Sequence, residues 1–329
     1  MHRRSSRAKF RTCARRRSAA AAAVLLTAVF LAGCSGTGDA QGGEPKLGPV
    51  EVDPATATLS LPRDAHTGTE AERIRMGQVQ QTLVFRCMAR YGFTYEGVKS
   101  AEAGGGGAED RHEYLFGLAD PAFAAAHGYD KSAGGGTPSK PPAPQLSDSA
   151  YVVMNGEQPG SQGGKIPDAK TEEEAAQVDS GLTAAGQKVP AGGCGREGYR
   201  KLYAPTKDSV DLLFTFGLAS EAHDRSKQDS RVVKVLKQWS ACMDKSGYSG
   251  IDTPYDVVEK LGLEGDRSGP KAVTAANADV ACKREVDLVG IWAAVEKAYQ
   301  ERLVEEHAET LALYKKQREA RFKLAAGLA

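Results

Sequence analysis

No apolar run in this sequence reaches the roughly 20 residues that a membrane-spanning helix needs; the run from Ser18 to Gly33 falls short of it. No cysteine pair has the C-x-x-C type of spacing and no H-x-x-x-H accompanies the cysteines, which excludes the common structural zinc arrangements. H-E-x-x-H and G-x-S-x-G are missing. Gly247-Tyr248-Ser249-Gly250 has the wrong offset for the latter. Gly163-Gly164-Lys165 lacks both the leading glycine and the following hydroxyl residue of a phosphate loop. Apart from His2 at the start of the chain, the histidines His66, His112, His127, His223 and His307 stand apart from one another, so no metal or cofactor is expected.

What is present first fixes a compartment. Basic residues crowd the first seventeen positions, an Ala/Leu-rich stretch follows, and Leu31-Ala32-Gly33-Cys34 closes it. This order is that of a cleaved bacterial lipoprotein export signal, with Cys34 as the new N-terminus carrying a diacylglycerol lipid. Sec export fits better than the twin-arginine route, because the residues after Arg15-Arg16-Arg17 do not suit the latter. Residues 1–33 hold eight Lys/Arg and no acid; without them 35 Lys+Arg face 42 Asp+Glu, a net charge of −7. So acidic a mature chain disfavours nucleic acid and anionic lipid as partners. Membrane attachment is then expected through the lipid on Cys34.

Cys13 leaves with the signal, so four cysteines remain: Cys87, Cys194, Cys242 and Cys282. An even number in an exported chain points to disulfides rather than buried thiols. Four cysteines allow three pairings, and an internal repeat chooses among them. Cys87-Met88-Ala89-Arg90-Tyr91-Gly92-Phe93 is echoed by Cys242-Met243-Asp244-Lys245-Ser246-Gly247-Tyr248, and Cys194-Gly195-Arg196-Glu197 by Cys282-Lys283-Arg284-Glu285. Two diverged copies of one stapled unit predict Cys87–Cys194 and Cys242–Cys282. Met76, Val79 and Leu83 lead to Cys87 at helical spacing, as Val232, Leu236 and Trp239 lead to Cys242. Gly92 and Gly247 are the natural helix stops.

The fold class expected is mainly α: a helical two-unit array with two intra-unit disulfides, long Gly/Pro-rich loops and a long C-terminal helix. The boundaries are 1–33 for the signal, 34–66 for a lipidated flexible tether, 67–205 for the first helical unit with low-complexity loops, and 206–329 for the second. Thr69 and Glu72 form a capping box for a helix to about Arg90, and Asp120-Pro121 opens a short one. Further helices are expected over Glu172–Val178, Cys194–Tyr203, from Val210 through Leu218, over Ser230–Lys245, and after Thr253-Pro254. An amphipathic helix is predicted from Leu288 to about Lys323, bent near Gly290, its last two turns overhanging the globule. His307 falls on its apolar stripe, and Glu172-Glu173-Glu174 reads as a solvated helix start. Tyr199 and Tyr203 are expected to pack together.

Leu59-Ser60-Leu61-Pro62, the C-M-x-x-x-G-F helix end, Tyr114–Tyr129, Val189-Pro190-Ala191-Gly192-Gly193-Cys194 and the tail from Ala278 through Glu296 resemble a family of actinomycete, Streptomyces-type lipoproteins. The resemblance spans most of residues 59–315 and brings no catalytic residues. Arg63 departs from it, where an aliphatic residue would follow Leu-Pro. It implies a cell-envelope setting with an envelope protein or peptidoglycan as partner. The function expected is thus a lipid-anchored, non-enzymatic binding or accessory module on the extracellular face. A solute-binding lipoprotein of a transporter and a cell-wall hydrolase are the alternatives. Scarce βα alternation weakens the first.

Overall fold

The first helix begins where its sequence says it should. The Thr69 hydroxyl accepts the Glu72 N–H at 3.2 Å, and the Glu72 carboxylate accepts the Thr69 N–H at 2.8 Å. Two donors that a helix start leaves unpaired are thereby satisfied. The computed structural model describes residues 43–53, 58–95, 112–134, 145–161 and 167–328. The signal, Cys13, Cys34 and the glycine-rich run 103–108 lie outside them. In chain order these residues form α1 Glu70–Arg90, α2 Glu113–Phe116, α3 Pro121–His127, α4 Asp148–Asn155 and α5 Glu172–Ala175. There follow a hairpin of β1 Thr183–Ala184 and β2 Gln187–Lys188, then α6 Gly193–Tyr203, α7 Phe214–Gln228 and α8 Ser230–Lys245. The chain ends with α9 Val257–Lys260, α10 Pro270–Glu285, α11 Leu288–Glu306 and α12 Ala308–Leu328. A turn of 3-10 helix, Pro62–His66, precedes α1. The fold is mainly helical, with the hairpin the only sheet among the described residues.

The repeated motif is one helix stop used twice. Gly92 at φ +78° and Gly247 at φ +92° take the left-handed conformation that lets the chain leave α1 and α8. Phe93 N–H then reaches back to the Met88 carbonyl at 3.2 Å, and Tyr248 N–H to that of Met243 at 2.9 Å. Both methionines are fully buried. Cys87–Cys194 ties α1 to α6 and Cys242–Cys282 ties α8 to α10, each with Cα atoms 5.6 Å apart. The pairing is the one the repeat predicts. The likeness extends one step further. Glu197 and Glu285, each three residues past the second cysteine, bring a carboxylate oxygen to 3.4 and 3.5 Å from the sulfur of Cys87 and Cys242.

Residues 44–329 form one compact unit. Its main core joins α7, α8, α10 and α11 around Trp239, Trp292 and Met243. Leu115 and Phe116 of α2 and Ala124 of α3 belong to that core although they precede residue 206. A second cluster surrounds the first disulfide with Val84, Met88, Tyr91, Val153 and Val189. A third, with Met76, Val79, Leu202 and Ala325, marks where α12 lies on α1 and α6.

Three local features differ from the sequence expectation. Much of the tether expected over 34–66 is built into the compact unit. Glu44 accepts the Ser230 N–H at 2.6 Å, where an acid complements the start of α8. Arg231 and Lys297 bond the carbonyls of Pro45 and Pro49, Val52 pairs with Leu59, and Leu61 is buried. The long C-terminal helix is interrupted at His307 (φ −111°, ψ 21°), whose ring meets that of Phe214 edge-on at 5.6 Å. Beyond the interruption α12 packs on α1 and α6, so its last turns are packed and Ala325 is fully buried. Near Gly290 the break comes earlier, at Asp287 (φ +53°); a Cβ on Gly290 would run into the Asp287 carboxylate.

Candidate functional site

Among the described residues no group of three His, Cys, Asp or Glu side chains could hold a metal ion, and no helix is long and apolar enough to cross a membrane. One constellation has the residue types of a hydrolytic site. The Ser226 hydroxyl donates to Glu296 Oε2 at 2.9 Å, His223 Nδ1 lies 3.3 Å from that oxygen, and His223 Nε2 faces the Tyr255 hydroxyl at 3.2 Å. Its wiring is not that of an activated nucleophile. Ser226 is fully buried, bonds the carboxylate instead of the imidazole, and accepts the Trp292 indole N–H at 2.9 Å. The His223 ring stacks flat on Trp292, 5.6 Å between centroids. These groups clamp α7 to α11.

Several other residues singled out in the sequence make packing or capping contacts. His307 is half-buried against Phe214. Glu172 bonds the buried Arg200 at 3.2 Å, while the Thr171 hydroxyl caps α5 by accepting the Glu174 N–H. Tyr199 and Tyr203 pack with ring centroids 5.2 Å apart. His112 Nε2 donates to Asp64 Oδ2 at 2.8 Å, and the same oxygen accepts the Leu61 N–H at 2.8 Å. Burial alone would raise the Asp64 carboxyl, but these bonds hold it below the usual carboxylate range. A carboxyl lowered on folding stabilises above its unfolded value, and that contribution is lost as pH falls through the lower folded one. Asp64→Asn should therefore lose roughly 1–3 kcal/mol at neutral pH. Urea denaturation near pH 3 should show a smaller gap between the two proteins.

A groove of about 650 Å³ has room for a ligand, within the range of roughly 300–1,000 Å³ that small-ligand sites occupy. One wall is the start of α1, with Thr67, Gly68, Glu72, Arg73 and Met76; the opposite wall is α12, with Tyr314, Arg318, Arg321 and Phe322. Tyr203 at the end of α6 and Arg63 of the 3-10 turn complete the floor, and Leu213 and Phe216 form the rim. Those two rim side chains are 66% and 60% exposed. Leu212-Leu213-Phe214-Thr215-Phe216 puts four apolar residues in five positions across the start of α7; Phe214 packs against the main core while Leu213 and Phe216 are left outside.

Charge in the groove is one-sided. Among the described residues four arginines line it against one carboxylate, Glu72, although residues 34–329 carry 35 Lys+Arg against 42 Asp+Glu. Glu72 is taken by Arg318 and by the Thr69 N–H. Burial alone would raise its carboxyl, yet these bonds hold it below the usual range. Arg321 is only 7% exposed. Its guanidinium lies over the Tyr203 ring at 5.7 Å and the Tyr314 ring at 5.4 Å. Burial pulls Arg321 below the usual guanidinium value and pushes the Tyr203 phenol up. The groove can grip an apolar body and neutralise an anion; among the described residues its lining holds no paired nucleophile and base.

Of its residues, the sequence marks Arg63 as standing where an aliphatic residue is expected after Leu-Pro, Tyr203 as a packing partner, and Leu213 and Tyr314 as helix positions. It does not reveal the exposed rim or Arg321. The one signal for the rim is the overfull apolar run at 212–216. No family model matches the chain, and neither the curated proteins nor the solved structures contain a match to it.

Proposed function

We propose that this protein is a lipid-anchored, non-enzymatic module of the bacterial cell envelope, of the Streptomyces-type lipoprotein family, and that it works by holding another envelope protein in the groove between α1 and α12. The observation that carries this reading is the exposed Leu213 and Phe216 rim around the buried cation of Arg321. Aliphatic and aromatic anchors beside a buried arginine are the usual energetic centre of a protein interface. Two disulfides agree with an oxidising compartment outside the cytoplasm. The lipid on Cys34 supplies the membrane attachment, and no cofactor or nucleic acid enters the reading.

A photo-crosslinking residue placed at Phe216 in the acylated chain tests this in intact cells, with Lys234 on the exposed face of α8 as control. One envelope protein, identified by mass spectrometry, should be captured from position 216 and lost on Leu213→Asp. Capture of peptidoglycan fragments alone would transfer the role to a wall ligand. Identical products from positions 216 and 234, or none, would remove the binding role.

A further inference from the structure

We infer that the groove recognises a carboxylate on an extended peptide segment, seated against Arg321 and Arg63 with its neighbouring apolar side chains on Leu213 and Phe216. This rests on the binding role proposed above and names the chemistry of the ligand.

The first observation is a buried cation that has tyrosines, Tyr314 and Tyr203, beside it but no carboxylate among the described residues. Arginine does not deprotonate in proteins, so the Arg321 guanidinium keeps its charge although more than nine-tenths of the residue is buried. Buried charges are normally paired. Two tyrosine faces offset part of the desolvation, but no carboxylate among the described residues pairs with it. The second observation lies in Arg63, on the same floor. Its Nε is buried with no hydrogen-bond partner among the described residues. Its backbone is fixed by the 3-10 turn and by the bond from its N–H to Gln300 Oε1 at 3.2 Å. The one carboxylate lining the groove, Glu72, is held by Arg318 and Thr69 and does not serve either guanidinium.

A planar guanidinium matches the two oxygens of a carboxylate. The surrounding walls of Met76, Phe322 and Leu212 call for a ligand that is apolar next to its charge. Fatty acids share that description but fit the groove less well. It is open at a rim whose two apolar side chains are already more than half exposed, so a hydrocarbon tail would stay largely in water. A peptide turns its backbone and outer side chains to the solvent at no such loss.

Panning short random linear peptides against the acylated full chain in detergent micelles tests the inference. The selected sequences should carry Asp or Glu beside aliphatic or aromatic residues. Changing that acid to its amide in a synthetic peptide should weaken binding roughly ten- to a hundredfold. Arg63→Gln should weaken the acidic peptide by a similar factor and leave acid and amide peptides bound alike. Arg321→Gln should do the same; because its side chain is buried, Arg63→Gln decides the matter if that variant fails to fold. Selected sequences without acids, equal affinity for acid and amide, or displacement by decanoate or anionic vesicles would overturn it. Acid-free sequences that still bind, and are lost on Leu213→Asp, would leave the binding role intact and remove only the carboxylate. An empty selection together with no cross-links from position 216 would remove both.

Discussion

Replacing Cys87 and Cys194 together by serine is expected to destabilise the protein by up to about 5 kcal/mol, more than the same change at Cys242 and Cys282, for which the figure is about 4 kcal/mol. The estimate follows from loop closure alone, since the bridges span 107 and 40 residues. Packing should widen the difference. The Cys242–Cys282 bridge lies against the main core, where Trp239, Trp292 and Met243 hold α8, α10 and α11 together without it. The Cys87–Cys194 bridge sits in a much smaller cluster, and the segments between its cysteines include glycine-rich stretches with few apolar side chains to bury. Loss of 5 kcal/mol is a large part of the roughly 5–15 kcal/mol that holds a typical domain folded. Urea denaturation of both double-serine variants measures the ranking. Hydrogen exchange should show α4 and α6 losing protection first in the Cys87/Cys194 variant. An equal or larger loss from the Cys242/Cys282 variant would mean that the small cluster is more self-sufficient than its size suggests.

The contrast between the two bridges also shows which features can be read from the sequence. Whatever is encoded within a few residues is legible: the Thr69–Glu72 box, the Asp120-Pro121 start, the Gly92 and Gly247 stops, and the apolar stripes leading to Cys87 and Cys242. The pairing follows because the same local signal occurs twice in order. The hairpin is not legible, because its turn is Ala185-Gly186, both at positive φ, and alanine gives none of the usual turn signature. The interruption at His307 is hidden for the opposite reason. Leu303, His307 and Leu311 keep helical spacing across it, so periodicity continues where the helix is interrupted. The groove cannot be read at all as a unit. Its residues run from Arg63 to Phe322 and meet only because α12 packs on α1.

Lys283→Met should destabilise the protein by roughly 3–5 kcal/mol at neutral pH, the usual effect of removing one partner of a buried ion pair. Lys283 and Asp279 lie one turn apart on α10, and both are essentially inaccessible. The ammonium donates to Asp279 Oδ2 at 3.0 Å and to the Leu118 carbonyl at 2.6 Å. The carboxylate also accepts the Trp239 indole N–H at 3.0 Å and the Tyr129 hydroxyl at 3.2 Å. The pair thus binds α10 to α8 and to the chain around α3. Burial pushes the Asp279 carboxyl up, and Lys283 is the main group pulling it back. Without the ammonium the carboxyl rises further. A carboxyl raised on folding favours the native state as pH falls toward its unfolded value. The deficit of Lys283→Met should therefore shrink between pH 8 and pH 5, measured by urea denaturation against the parent protein. Asp279→Leu combined with Lys283→Met should lose less than the two single changes together, because no lone charge remains. It should not reach parity, since Trp239 N–H and the Tyr129 hydroxyl would each lack an acceptor, at about 1–3 kcal/mol apiece. A pH-independent deficit would indicate that lost packing of the lysine stem, and not the stranded carboxylate, sets the size of the effect.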